Sequence, residues 1–261
     1  MRGLGESILD FSCFSSDDYL AEYYSAVRSE NNELLRFFAQ ASKLVSTGST
    51  FLEYGGGPTI YQLVSFAPRV ESIYFTDHLS RNLLTVQAWL QTKKPSHNWT
   101  PFIAAALQHE GIASPSAAQI SERENYLKAK LCGFGHVDAF NPHLDDIALK
   151  QYDVVSANFV VESITVDVKG WRRCLDSLLS YVKPDGLLSL TSIRGATYWK
   201  IKDKKFPAFS VSANSITEEL RARGFVIEII HEIDAQITEQ SHPGYEGYDG
   251  MVFIMARRKQ A

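Results

Sequence analysis

Thr50-Phe51-Leu52-Glu53-Tyr54-Gly55-Gly56-Gly57-Pro58-Thr59-Ile60-Tyr61-Gln62 is the stretch that decides the fold. A short apolar run, Thr50 to Tyr54, reads as a strand that closes on a glycine cluster, with a helix opened by Pro58. Glycines directly after a strand let backbone N–H groups approach a ligand where side chains would clash. The string departs from G-x-G-x-x-G, because its third glycine is missing, which argues against a pyrophosphate-binding dinucleotide site. Glycines alone also make plain turns, so the bend needs support from elsewhere in the chain.

That support comes 20 residues after Gly57, where a second apolar run, Ser72 to Thr76, ends at Asp77. An acid at this place can accept both hydroxyls of a ribose. It can also cap a helix starting near Ser80, but strand, glycine bend and acid in this order favour the ribose. A third run, Leu131 to Val137, ends at Asp138, which suits an adenine amino group or, equally simply, a turn. Tyr152 to Ala157 and Gly186 to Ser192 read as the fourth and fifth strands, and Phe225 to Ile233 and Tyr248 to Ala256 as two late ones.

Helical spacing separates these runs. Trp171 to Val182 has apolar residues at 171, 175, 178, 179 and 182, and stops at Lys183-Pro184-Asp185-Gly186. Ser215 to Arg223 is a second helix, ended by Gly224, and Asp17 to Val45 reads as one or two amphipathic helices ahead of the sheet. Pro101 to Lys130 is an insertion, helical at least over Ala117 to Lys130 and placed to cover a site. The expectation is one α/β domain over residues 1–261, with a Rossmann-like, doubly wound, mostly parallel sheet of seven strands. Residues 1–47 would form a helical lid and residues 98–130 a cap.

Composition narrows the function. The 261 residues are 45% hydrophobic and 21% charged, with a net charge of −4. The longest basic run is the terminal Arg257-Arg258-Lys259, so the footprint of a nucleic-acid binder is missing. Cys13, Cys132 and Cys174 are an odd number without a C-x-x-C pair, which fits a reducing compartment and argues against a disulfide framework or a zinc site. No apolar run reaches the length of a secretion signal or membrane span, and no His/Cys/Asp cluster has metal-ligand spacing. A cytoplasmic protein acting on a small molecule, without metal, membrane or nucleic acid, is expected.

Glu53 to Gln62 resembles the glycine motif of the nicotinamide, phenylethanolamine and thioether N-methyltransferase family, in which Gly-x-Gly-Pro-Thr-Ile-Tyr-Gln is a specific string. The similarity continues through Thr76-Asp77-His78, Asn82 and Trp89, through Asp18 to Tyr24, and through Lys183-Pro184-Asp185-Gly186, covering nearly the whole chain. The resemblance implies a class I fold with S-adenosylmethionine as cofactor. It implies that Tyr19, Tyr24 and Thr59 bond the methionine carboxylate, and that Gly55 and Gly56 hold the amino-acid part beside Tyr61. Asp77 and Asn82 would take the ribose, with His78 beside the adenosine. Val137, Asp138 and Ala139 would border the adenine, and Asn158 would lie near the methionine amino group.

The acceptor side departs from the family. Members hold the acceptor with carboxylates after the fourth and fifth strands. Here the fourth is followed by Phe159-Val160-Val161-Glu162, but the fifth carries Ser192-Ile193-Arg194, with Ser192 where a nicotinamide-type site has an acid. This argues against nicotinamide as the acceptor. Glu162 is the candidate for orienting or deprotonating an attacking amine, and His136 is another titratable choice. Arg194 would recognise an acidic acceptor or simply lie on the surface. Tyr198 and Trp199 match an aromatic pair lining the family's acceptor pocket. With Phe159 and Phe206 they would enclose a cation or pack as core.

Three functions follow. The first is methylation of a small-molecule amine. The second is cyclisation of S-adenosylmethionine by its own α-amine to azetidine-2-carboxylate and methylthioadenosine, as in bacterial azetidine-2-carboxylate synthases that resemble the same family and serve secondary-metabolite biosynthesis. The third is non-catalytic binding of S-adenosylmethionine.

Overall fold

The computed structural model describes residues 11–91, 97–235 and 247–260; the first ten residues of the expected lid lie outside these. Helices α1 (Ser16–Tyr23) and α2 (Ser29–Ala41) precede strands β1 (Ser49–Glu53) and β2 (Val70–Asp77). Next come α3 (Ser80–Gln91), α4 (Thr100–His109), α5 (Ala117–Lys130) and β3 (Leu131–His136). The chain continues with β4 (Tyr152–Asn158), α6 (Val168–Ser180), β5 (Val182–Arg194) and a hairpin of β6 (Tyr198–Ile201) and β7 (Lys204–Pro207). Helix α7 (Ala213–Ala222) and strands β8 (Phe225–Asp234) and β9 (Gly250–Arg258) complete it.

Seven strands form one sheet in the order β3-β2-β1-β4-β5-β9-β8, parallel except for β9, which runs antiparallel to both neighbours. The seven expected strands are therefore the seven found. Period-two alternation gives the sheet two buried faces. Phe51, Ile73, Phe75 and Phe253 join the core under α2 and α4, whereas Leu52, Tyr54, Val155 and Ile254 join the core under α6 and α7. Strand order reverses between β1 and β4, and the crevice outside their carboxyl ends is where an open α/β sheet binds its ligand.

Three expectations change. Pro58 does not open an α-helix: the connection from β1 to β2 is a 3-10 turn, Tyr61–Leu63, within further turns. Thr59 Oγ1 donates to Gly56 O at 2.9 Å, and Gln62 Nε2 donates to the carbonyls of Gly56 and Thr59 at 3.3 and 3.2 Å. These side chains compete with a helical ladder for the same carbonyls. The fifth strand starts at Val182, four residues before Gly186, with Asp185 at φ 59° inside a register shift against β4.

The insertion does not cover the crevice. Helix α4 packs on α2, and α5 packs along β2 and β3. Trp99 and Phe102 instead lie behind the site, each with its ring centroid 5.9 Å from that of Tyr24. Among the described residues, no helix is long and apolar enough to cross a membrane.

Candidate active site

Bare backbone at the end of β1 is enforced by packing. A Cβ on Gly56 would lie 2.4 Å from Phe75 Cζ and 2.8 Å from Glu53 Cγ. Gly55 and Gly57 both have left-handed backbones, at φ 69° and 62°. Gly56 N–H donates to Thr76 O at 2.9 Å, and Gly57 N–H donates to Asp77 Oδ2 at 2.8 Å, so the bend is laced to the end of β2. Asp77 Oδ1 also accepts from Leu79 N at 2.7 Å and from Asn82 Nδ2 at 3.0 Å. The capping role and a place in the site thus coexist. Burial pushes the Asp77 carboxyl up despite these bonds.

The bend and Asp77 line a cleft of about 920 Å³. Tyr19, in the middle of α1, and Tyr24, at its C-cap, face it together with Tyr61. Their hydroxyls form a chain, 3.4 Å from Tyr19 to Tyr24 and 3.3 Å from Tyr24 to Tyr61. Burial raises all three phenols far above their ordinary range, so they remain protonated donors. Ser16 Oγ donates to Asn82 Oδ1 at 2.7 Å, tying α1 to the residue that holds Asp77. Thr59 lines the cleft, but its hydroxyl proton is engaged inside the bend.

The far end of the cleft is lined by His78, Val137, Asp138 and Ala139. His78 Nδ1 is 3.2 Å from Val137 O, which requires the tautomer carrying hydrogen on Nδ1. Asp138 Oδ1 accepts from the N–H groups of Phe140 and Asn141 at 2.9 and 3.2 Å, so it is a turn residue as well as a lining one. Burial raises its carboxyl, and hydrogen bonds led by that of Asn141 outweigh this and leave it below its ordinary value. His136 stands beside His78, 5.1 Å between ring centroids, and does not line the cleft.

On the opposite side the predicted residues separate into two groups. Asn158, Phe159 and Trp199 line the cleft. Phe159 is held at φ 58°, a costly backbone for a bulky residue. Phe206 stacks behind Trp199 at 4.3 Å, with Phe14 at its edge. The hairpin that carries these rings is fastened to the N-terminal segment. Lys202 N donates to Glu22 Oε2 at 2.7 Å, Lys204 Nζ to Cys13 O at 2.7 Å, and Tyr23 Oη to Lys200 O.

Glu162, Ser192, Arg194 and Tyr198 do not line the main cleft. Glu162 is fully buried and points into β5, accepting from Ile193 N at 2.9 Å and Ser192 Oγ at 3.1 Å. Burial holds its carboxyl up at about 7. The acid expected to face an amine is a clamp between the β4 loop and β5. Arg194 pairs with Glu232 at 3.2 Å and with Asp234 at 2.5 Å, so its guanidinium is neutralised on the sheet edge. Tyr198 lies behind Trp199, its ring under Lys205 Nζ at 4.2 Å.

One residue went unnoticed in the sequence. Glu53 Oε1 accepts from Gln62 Nε2 at 3.2 Å and Asn158 Nδ2 at 3.0 Å, while Oε2 has no hydrogen-bond partner among the described residues. Burial pushes this carboxyl up to about 7. An acid on an otherwise apolar strand, two residues before the bend, was the available signal.

The model of the NNMT/PNMT/TEMT family matches residues 7–259. The chain is 24% identical to nicotinamide N-methyltransferase of Sus scrofa over 249 residues, covering 92% of each. It is 26% identical to indolethylamine N-methyltransferase of Mus musculus over 254 residues, 94% of this chain and 93% of the other. Among solved structures, the DhpI-SAM-HEP complex has a TM-score of 0.54 at 14% identity, covering 97% and 99% of the two chains, a likeness of fold. The chain belongs to the NNMT/PNMT/TEMT family, with the class I methyltransferase fold and S-adenosylmethionine as the family's methyl donor.

Proposed function

We propose that this protein methylates an amine nitrogen of a small molecule with S-adenosylmethionine. The observation that carries the reading is that one cleft combines the bare bend at Gly56, the laced Asp77, the phenol chain and an aromatic wall. The cradle fits the donor: packing against Phe75 and Glu53 leaves Gly56 no room for a side chain, so the backbone stays bare, and Glu53 Oε2 is a buried acceptor without a partner among the described residues, beside the bend. Asp77 and Asn82 would hold the ribose, and Val137, Asp138, Ala139 and His78 would border the adenine. Tyr19 and Tyr24 would donate to the methionine carboxylate, and Gly55, Gly56, Thr59 and Tyr61 would shape the space around it. Asn158, which lines the cleft and is held from behind by Glu53, suits its ammonium.

The bound donor supplies an electrophilic methyl group on a sulfonium. Transfer is an in-line displacement, so the protein's work is to align a neutral amine and exclude water. Tyr19, Phe159 and Trp199 form the wall against which an acceptor would be aligned, and their rings suit a positive sulfur.

One observation favours a second reading. Glu162 and Ser192 bond each other away from the cleft, so no acid reaches its aromatic side from those two positions. Intramolecular cyclisation needs no foreign acceptor: the α-amine nitrogen bonds to Cγ, the Cγ–S bond breaks, and nitrogen loses one proton. Azetidine-2-carboxylate and methylthioadenosine result.

Incubation with S-adenosylmethionine, with and without a panel of amines, followed by mass spectrometry, separates the readings. S-adenosylhomocysteine formed only with an amine supports methyl transfer. Methylthioadenosine formed without one supports cyclisation. Binding with neither product overturns both and leaves a non-catalytic binder.

A further inference from the structure

Strands β4 and β5 run parallel, and Asn158 and Thr191 stand opposite each other near their carboxyl ends. Residues paired in register send their side chains to one face of the sheet, so these two side chains are neighbours. Thr191 is fully buried. A valine would fill the same space without burying a hydroxyl, whose desolvation has to be offset by a hydrogen bond. That bond goes to a residue of the cleft: Thr191 Oγ1 donates to Asn158 Oδ1 at 3.0 Å. The Thr191 carbonyl also accepts from Phe159 N at 2.8 Å, so one residue of β5 holds two successive residues of the cleft wall.

The other end of the amide is fixed as well. Asn158 Nδ2 donates to Glu53 Oε1 at 3.0 Å and to Ser156 Oγ at 2.9 Å, which uses both of its hydrogens. Above the value of about 7 to which burial pushes Glu53, that carboxylate only accepts. Turning the amide over would then set Asn158 Oδ1 against Glu53 Oε1, acceptor against acceptor. Among the described residues Oδ1 accepts one bond, from Thr191, and an amide oxygen has two lone pairs. What Asn158 still offers a ligand is therefore an acceptor, not a donor. This selects an amino group over a carboxylate.

We propose that Thr191 is a positioning residue for donor recognition: its hydroxyl sets the Asn158 amide so that a carbonyl oxygen meets the α-amino group of S-adenosylmethionine. The assignment deepens the methyl-transfer reading and rests on it. Thr191 itself does not line the cleft and acts through Asn158.

The test compares two ligands by calorimetric titration of the full-length protein at about pH 8, where Glu53 only accepts. They are S-adenosylhomocysteine and its analogue with hydrogen in place of the α-amino group. The wild type should prefer the amine roughly tenfold, and Thr191→Val should lower this preference about fivefold, the scale of one hydrogen bond. Affinity for the analogue should stay unchanged in that variant, and Thr191→Ser should retain the preference. In an Asn158→Ala background, adding Thr191→Val should leave the preference where it is. Thr191→Ala serves as the second probe if the valine variant fails to fold. A wild type without preference, an unchanged preference in Thr191→Val, an equal loss for both ligands, or the same effect in the Asn158→Ala background overturns the assignment. If the wild type binds neither ligand, the methyl-transfer reading falls, and NMR of the free protein decides the anchor. Slow hydrogen exchange of the Asn158 side-chain amide that Thr191→Val accelerates supports it, and equal exchange overturns it.

Discussion

Gly57 donates its backbone N–H to the Asp77 carboxylate across 2.8 Å, which joins the bend after β1 to the tip of β2. The same carboxylate accepts from Leu79 and Asn82, and Asn82 accepts from Ser16 on α1. A single acid therefore organises the bend, the start of α3 and the attachment of the N-terminal helix. Any ligand that reaches this carboxylate meets a group already fixed by three donors, and little is lost in ordering it.

Replacing Asp77 by Ala leaves the Gly57 and Leu79 N–H groups without their acceptor. Each buried donor left without a partner costs about 1–3 kcal/mol. S-adenosylmethionine affinity should fall roughly 10- to 100-fold, at about 1.4 kcal/mol per decade, and Tm should fall by several degrees. Calorimetric titration checks the first and thermal unfolding the second. Wild-type affinity in the variant would remove Asp77 from the ligand site.

Gly56 and Gly57 should respond to alanine for different reasons. At Gly56 the new methyl meets the Phe75 ring and the Glu53 stem at 2.4 and 2.8 Å. Overpacking of this kind costs about 1–3 kcal/mol and pushes the bend out of shape. At Gly57 nothing lies within 4 Å, and only the φ of 62° is penalised, at about 1–2 kcal/mol. Gly56→Ala should lose most cofactor affinity, whereas Gly57→Ala should lose stability with smaller loss of affinity. Equal affinities in the two variants would contradict the cradle.

Two buried carboxyls make stability depend on pH. Glu53 and Glu162 are both pushed up to about 7 by burial, from an ordinary value of 4.5. Between these values the folded chain holds more protons than the unfolded one. Their contribution is therefore complete below pH 4.5 and is lost as pH rises through 7. Each site amounts to roughly 3 kcal/mol at 1.36 kcal/mol per unit. Denaturant unfolding from pH 5 to 8 should show a stability decline that Glu53→Gln and Glu162→Gln each flatten. A wild-type slope in either variant would show that its carboxyl titrates normally.

Much of the fold was legible because each parallel strand is a short apolar run ended by a polar turn, from Phe51-Leu52 to Val154-Val155. The meeting of the bend and Asp77 at one cleft was legible because glycine and acid types carry that geometry themselves. Facing was not. Glu162 reads as a catalytic acid by its position, yet the loop after β4 aims its carboxylate at Ser192 Oγ and Ile193 N of β5. The β6–β7 hairpin was hidden because its turn, Lys202-Asp203, lacks the Asn-Gly or Asp-Gly signal, although Lys202 adopts φ 52°. The segment from Pro101 to Lys130 reads as a cover because periodicity gives helices without saying which layer they join.

Phe159 offers a test in which stability and function move apart. Its φ of 58° is a region where a side chain costs about 1–2 kcal/mol, and its N–H is fixed by Thr191 O at 2.8 Å. It lines the main cleft. Phe159→Ala removes the ring and keeps the penalty, whereas Phe159→Gly removes both. Glycine should therefore be the more stable of the two by about 1 kcal/mol, the reverse of its usual rank against alanine. Turnover should fall in both to a similar extent, because both lose a ring that walls the cleft. Chemical denaturation and a methyl-transfer assay on the same preparations decide this. An alanine variant more stable than the glycine one would mean that the left-handed backbone is not held at this residue.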